Sequence, residues 1–517
     1  MKNKTWNNPV FWVSASILVV LVLLGGLLPE SFGRVAGVLF DFTTINFGWF
    51  YLLSVFIIIL FLAGLALSKA GGIRLGGEEE RPEFPFFTWI GMLFSAGFGV
   101  GLVFWGVAEP MSHYVDTPFA GLEGRTVEAA RVAMGYSFFH WGISQWSVYA
   151  LVGLIIGFMQ YRKQKDGLIS TALEPIAGHR PGMKNTIDSF AVIATVMGVA
   201  TSIGLGALQM NGGLNAVFGT GTSFWIQLAV IAVVFAAYML SSTTGLNKGI
   251  RYLSNLNLIF AIVLLLFVFV TGPTLFILET FTLAIGDYIS NFIGYSLRLQ
   301  PYQGGTWVRD WTIFYWAWAI SWSPFVGAFV ARVSKGRTIR EFIMGVMTVP
   351  PAIACFWIAA FGGTALWNDA NRNAGIADAV QADVSSALFK TFEQMPFTMV
   401  VSILSILLIL TFLVTSADSA TYIMSSMTSK GSPNPPRVPK LVWGVLMSAI
   451  AGVLLYAGGL NALQTASLIS ALPFTLLLLL LGLSIAKLLR KEPLPIRKAD
   501  LKRFLRLEKV AKEEKKK

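Results

Sequence analysis

Charge is scarce in this chain. Asp, Glu, Lys and Arg make up 13% of its 517 residues, against about 25% in an ordinary soluble domain. So few ionised side chains cannot cover the surface of a water-soluble protein this long, and that class is excluded. There is one cysteine, Cys355, which excludes an intramolecular disulfide. Set in an apolar run, it reads as a small core residue. The three histidines, His113, His140 and His179, show no metal-ligand spacing, and His140, beside Trp141, reads as structural. No Walker phosphate loop is present, which excludes direct use of ATP. No nucleophile, base and orienting group converge, so neither an enzyme nor a cofactor is expected. No same-direction repeat is visible; inverted repeats diverge too easily to show this way.

Hydrophobic residues are abundant, at 55%, with a mean hydropathy of +0.67. Apolar runs of about 20 residues, enough to cross a bilayer, recur along the whole length. They predict an all-α integral membrane protein with twelve spans, near 9–28, 47–68, 86–108, 132–159, 186–213, 222–241, 252–278, 311–331, 341–366, 397–424, 441–458 and 462–489. The first run follows Lys2 and Lys4 as a signal peptide would. It lacks a well-placed small-residue cleavage site and is read as the first span.

The basic residues orient these spans. Of 39 lysines and arginines, 32 fall on the side of the termini. The other seven are Arg34, Arg125, Arg131, Arg298, Arg309, Arg372 and Lys390. The positive-inside rule then places both termini in the cytoplasm of a multi-pass plasma-membrane protein. The net charge of +12 reflects topology and a basic tail, so nucleic acid is not an expected partner. Between spans, Glu279 to Arg309 holds an amphipathic stretch, 283–297, placed along the membrane surface. Residues 369–394 read as a polar external loop with a short helix. In the tail, Leu501, Phe504 and Leu505 share helical spacing among basic residues. They read either as a helix touching anionic lipid or as a solvated charged segment.

Three constellations could carry chemistry. In Ser95-Ala96-Gly97-Phe98-Gly99-Val100-Gly101 the glycines are two apart, so alternate ones point in opposite directions. That suits a backbone that unwinds or approaches a ligand closely, or helix packing on two sides. Glu109, before Pro110, is expected to end this span at the outer surface. In the fourth span Trp141, Trp146 and Tyr149 share a broad face of one helix; in the eighth, Trp316, Trp318 and Trp322 cluster. Aromatic faces cage a quaternary ammonium without a carboxylate, or else face lipid and pack. In the tenth span, Thr415 and Ser416 offer hard oxygens to an alkali cation, or bond to neighbouring helices. Asp418 there implies function or an internal ion pair.

Taken together, Gly99 to Pro110, Trp311 to Arg340 (with Ser321-Trp322-Ser323-Pro324) and Thr415-Ser416-Ala417-Asp418-Ser419 resemble the betaine/choline/carnitine transporter family, over about residues 10–490. The resemblance implies two inverted five-helix repeats preceded by two extra helices, the fold of sodium-coupled amino-acid transporters. Residues 1–84 would hold the N-terminal segment and two peripheral helices, 85–281 the first repeat, 282–310 an external segment, 311–490 the second repeat and 491–517 the tail. It also implies a homotrimer that works by alternating access, and in osmoregulated members a tail that senses osmotic stress.

Carried over, the substrate cage would comprise Trp141, Trp146, Tyr149, Trp318 and Trp322, with Ala96, Gly97, Phe98, Gly99 and Ala319 beside it. One sodium site would use Ser95, Phe98, Phe412, Thr415 and Ser416, and a second Thr195 and Phe325. Sodium is thus the expected coupling ion. Sodium-independent relatives place arginine where Asn257 stands, which favours sodium-coupled uptake of a quaternary-ammonium or related zwitterionic osmolyte. The alternatives are a sodium-independent exchanger of carnitine- or choline-like metabolites, and an osmosensing carrier of another solute. Two departures bear on the solute. Betaine carriers have tryptophan where Ala319 stands and methionine where Phe98 stands. Either the Phe98 ring replaces the missing indole, or the pocket takes a different or bulkier solute.

Overall fold

The computed structural model describes residues 7–97, 99–244, 247–302 and 304–494, without the side chains of 94–97 and 243–251. The described residues form seventeen α-helices: α1 Pro9–Leu27, α2 Pro29–Leu67, α3 Phe86–Gly97, α4 Val100–Val115, α5 Val127–Trp141, α6 Ile143–Gly157, α7 Ile169–Ala177, α8 Pro181–Phe218, α9 Phe224–Thr244, α10 Asn247–Thr271, α11 Thr274–Ser296, α12 Phe314–Val333, α13 Ile339–Arg372, α14 Ile376–Ala382, α15 Ala387–Phe392, α16 Thr398–Met427 and α17 Arg437–Leu489. Outside them lie short 3₁₀ and π turns and an isolated bridge between Arg74 and Thr338.

Ten helical segments among the described residues are long and apolar enough to cross a membrane. The remaining apolar runs are interrupted. The run expected at 86–108 is two helices, α3 and α4, with Gly99 extended between them (φ −163°, ψ 170°). The runs at 441–458 and 462–489 both lie in the 53-residue α17, whose backbone leaves helical geometry at Gly458 and Gly459. A straight helix of that length would reach about 80 Å, far beyond a hydrocarbon core of about 30 Å. Gly459 makes the break in the left-handed region (φ 59°), where a side chain is disfavoured.

The fourth run is also divided. It was expected as one helix over 132–159, but α5 stops at Trp141 and α6 starts at Ile143, with Gly142 between. Tyr288 explains the break. Its hydroxyl accepts the Ile143 N–H at 3.0 Å, satisfying a donor that a helix start leaves open. A Cβ on residue 142 would lie 2.5 Å from that hydroxyl and 2.6 Å from the Phe138 carbonyl.

Two connecting segments are more integrated than their sequences imply. The stretch placed along the membrane surface belongs to α11, which packs on α5 and α13. Its Asp287, Tyr288 and Tyr295 are buried, and Arg131 reaches Asp287 at 3.4 Å. Between α13 and α16, the segment expected as a polar loop forms α14 and α15, burying Phe389 and Phe392. Asp369 starts α14 by accepting the Ile376 N–H at 2.7 Å.

Cys355 is buried, 4.0 Å from the Phe138 carbonyl. At the start of the tail, Glu492 bonds to Arg162 at 2.8 Å and pairs with Lys163. The amphipathic tail residues Leu501, Phe504 and Leu505 lie outside the described residues.

Candidate functional site

In the interior, α12 packs against α6, α8 and α17, and α16 against α8 and α10. A cavity of about 200 Å³ opens between them, reached also by Trp141 at the end of α5 and by the start of α4. Helical spacing decides which α12 residues line it. Trp318, Trp322, Phe325, Val326 and Phe329 do so, a stripe at i, i+4, i+7, i+8 and i+11. Ala319, on one face with Val326, is fully buried and is not itself among the lining residues.

Trp141, Trp146 and Tyr149 complete the aromatic lining. Trp146 meets Tyr149 edge to face at 5.2 Å, and Trp141 meets Trp318 likewise at 6.2 Å. Glycines seat two of these rings. A Cβ on Gly101 would collide with Trp318 and lie 3.2 Å from Trp141. A Cβ on Gly198 would lie 2.7 Å from Trp322. Gly101 thus serves close ring approach, whereas Gly99 meets nothing within 4 Å on that side and lines the cavity.

Among the described residues, no Asp, Glu, Lys, Arg or His lines this space. Its polar groups are amides, hydroxyls and indole N–H groups. Phe412, Thr415 and Ser416 of α16 form one wall, beside Asn257 of α10. The Thr415 hydroxyl donates back along its helix, to Thr411 at 2.9 Å or Phe412 at 3.2 Å. It accepts from the Asn257 amide at 3.1 Å, so a hydroxyl lone pair remains for a cation.

Of the other expected ion ligands, Phe325 lines the cavity, edge-on to Trp322 at 5.4 Å. Thr195 does not; it is fully buried, and its hydroxyl donates to the Ala191 carbonyl one turn back at 2.7 Å. Ser95, Ala96 and Gly97 fall in the last turn of α3, and their side chains lie outside the described residues, as does all of Phe98. Asp418 does not line the cavity. It is buried beside Ser242.

Behind the aromatic wall is a group that sequence reading misplaced. Glu109 does not end its span at the surface: α4 continues through Pro110 to Val115, and Glu109 is fully buried. Its Oε1 faces His140 Nδ1 at 2.6 Å and His113 Nε2 at 3.3 Å. Its Oε2 accepts the Trp141 indole N–H at 2.8 Å and the Tyr315 hydroxyl. His140 Nε2 meets the Thr312 hydroxyl at 3.0 Å. Glu109, His113 and His140 thus converge closely enough to hold a metal ion. However, both carboxylate oxygens and both His140 nitrogens already have hydrogen-bond partners. The chemistry fits a polar hub that fixes the Trp141 indole. The i, i+4 spacing of Glu109 and His113 was the readable signal; His140 comes from another helix. Gln145, which also lines the cavity, was not singled out from sequence.

The family described as BCCT, betaine/carnitine/choline family transporter, matches residues 9–494. The chain is 63% identical over 491 residues to the ectoine/hydroxyectoine transporter of Virgibacillus pantothenticus, covering 95% of this chain and 98% of that one. It is 46% identical to the glycine betaine transporter OpuD of Bacillus subtilis, covering 95% and 96%. It is 36% identical to the osmo-dependent choline transporter BetT2 of Acinetobacter baylyi, covering 94% and 72%. A family match over nearly the whole helical bundle, around an aromatic cavity, settles what kind of molecule this is: the chain belongs to the betaine/carnitine/choline transporter family, a membrane carrier of small solutes and not an enzyme.

Proposed function

We propose that this carrier accumulates a compact zwitterionic osmolyte, of the betaine or ectoine type, by sodium-coupled symport. The observation that carries this reading is the cavity's composition: indole and phenol faces on one side, hydroxyls and an amide on the other, and no ionised side chain among the described residues. Aromatic faces stabilise a desolvated cation by about 2 kcal/mol or more without binding a counter-charge that would hold it in place. Trp318 and Trp322 have indole N–H groups without acceptors among the described residues, which suit the anionic end of such a solute. The wall of Phe412, Thr415 and Ser416 offers carbonyl and hydroxyl oxygen to an alkali cation. The neutral Asn257 leaves that position without a built-in positive charge.

The relatives are named for both solute types, ectoine/hydroxyectoine at 63% identity and glycine betaine at 46%. In this reading the chain crosses the membrane twelve times, counting α3 with α4 as one crossing and α17 as two. Both termini are cytoplasmic, 85–281 and 311–490 form inverted repeats, three copies assemble, and the basic tail meets anionic lipid.

Uptake of labelled glycine betaine and ectoine into proteoliposomes, with and without an inward sodium gradient, tests this. Accumulation above equilibrium that requires the gradient is expected. Uptake indifferent to sodium but dependent on internal solute would replace the symporter with an exchanger.

A further inference from the structure

We propose that Gln145 selects for a solute whose cationic group carries an N–H. The inference rests on reading the aromatic cavity as the solute site, and deepens it. Gln145 lies in the first turn of α6, just past the Gly142 break that brings both it and Trp141 to the cavity. Its side chain is held: Nε2 donates to the Tyr149 hydroxyl at 3.2 Å, one helical turn on. The other end of the same amide, Oε1, is buried and has no donor among the described residues. The residue is 6% exposed. A buried carbonyl without a donor is an unfavourable arrangement to keep, so its place at a binding cavity calls for a donor from the ligand.

The aromatic lining cannot make this distinction. Ring faces attract any compact cation, whether quaternary or protonated. A quaternary ammonium has no N–H, and on binding it would leave the Gln145 carbonyl desolvated and unpaired. A protonated tertiary amine, or a cyclic amidinium such as that of an ectoine-type ring, presents an N–H beside the same positive charge. A site built around a hydrogen bond rejects the analogue that lacks it more strongly than an apolar pocket rejects an extra methyl group. Hydrogen bonds to charged groups correspond to a preference of about tenfold or more.

The test uses matched solutes that differ by one N-methyl group, N,N-dimethylglycine against glycine betaine, competing for uptake of labelled ectoine in proteoliposomes. Wild-type protein is expected to favour dimethylglycine by about tenfold or more. Gln145→Leu should erase that preference by weakening dimethylglycine and ectoine while glycine betaine binds as well as before or better, the unpaired carbonyl being gone. Gln145→Glu, which keeps an acceptor, should retain the preference. Equal affinities in wild-type protein overturn the proposal without recourse to any variant. A variant Gln145→Leu that elutes as folded protein yet weakens both competitors equally overturns it too. If neither solute nor ectoine itself is bound by wild-type protein, the cavity reading falls and the proposal with it. A lost preference alone leaves the cavity reading standing.

Discussion

The indole N–H of Trp141 donates to Oε2 of Glu109 at 2.8 Å, tying a residue of the cavity wall to a carboxylate wholly inside the bundle. The same carboxylate meets His140 at 2.6 Å and the Tyr315 hydroxyl. It therefore joins α4, α5 and α12 at the end of the cavity where Trp141 and Trp318 meet.

Glu109→Gln keeps the shape but turns one acceptor into a donor facing groups that already donate. A lost charged hydrogen bond with a buried donor left unpaired costs about 2–3 kcal/mol. We expect the KM for solute to rise by tenfold or more with a smaller change in maximal rate, and Trp141→Phe to reproduce part of that rise. Uptake kinetics on purified, reconstituted protein measure both.

Gly101→Ala would place a methyl group against Trp318 and 3.2 Å from Trp141. Gly198→Ala would place one 2.7 Å from Trp322. Overpacking of this kind costs about 1–3 kcal/mol. Because the obstructed atoms belong to cavity rings, weaker solute binding is expected from both while expression is retained. Equilibrium binding on detergent-solubilised protein gives the answer.

Trp146→Leu removes a ring face from the cavity while keeping apolar bulk. With a cation–π contact worth about 2 kcal/mol, affinity should fall by roughly thirtyfold. Unchanged affinity would move the solute elsewhere in the cavity. Isothermal titration with the preferred solute decides this.

Asn257 donates to the Thr415 hydroxyl at 3.1 Å. Arginine at 257 would bring a fixed positive charge to the wall proposed for sodium. Asn257→Arg is expected to lower the sodium stimulation of uptake at least tenfold, and Thr415→Ala to raise the sodium concentration needed for half-maximal uptake. Sodium titrations of initial uptake rate test both.

Glu492 supports a pH prediction. Burial raises its pKa, but hydrogen bonds and charge from Lys163 and Arg162 outweigh that and hold it below the ordinary 4.5. A depressed folded value means that the contribution is complete above pH 4.5 and is lost as pH falls through the lower, folded value. Wild-type protein should therefore exceed Glu492→Gln in thermal midpoint at neutral pH, by on the order of a degree or two. The two should converge in acid. Midpoints from a tryptophan-fluorescence melt at neutral pH and near pH 3 check this.

Much of the fold was written in composition and periodicity, because lipid imposes a one-dimensional rule. A spanning segment must be apolar for about 20 residues and must satisfy its own backbone. Most expected spans accordingly match helices of similar limits. The rule does not mark interruptions. Gly142 and Gly459 look like other glycines in sequence; only the Tyr288 hydroxyl beside one and the backbone angle of the other reveal the breaks. For Glu109, the following proline signalled a helix end, yet α4 runs on because neighbouring helices enclose that turn.

The sequence by itself determined the membrane class, the aromatic and hydroxyl residues available to a site, and the family, since these follow from residue type and order. The tertiary structure alone decided which of them meet. It brought Trp141 to Trp318 across a glycine, bonded the Thr195 hydroxyl back to its own helix and gathered His140, His113 and Glu109. Those outcomes depend on helix rotation and breaks, where a turn of about 100° per residue decides whether a side chain faces the cavity or a neighbouring helix.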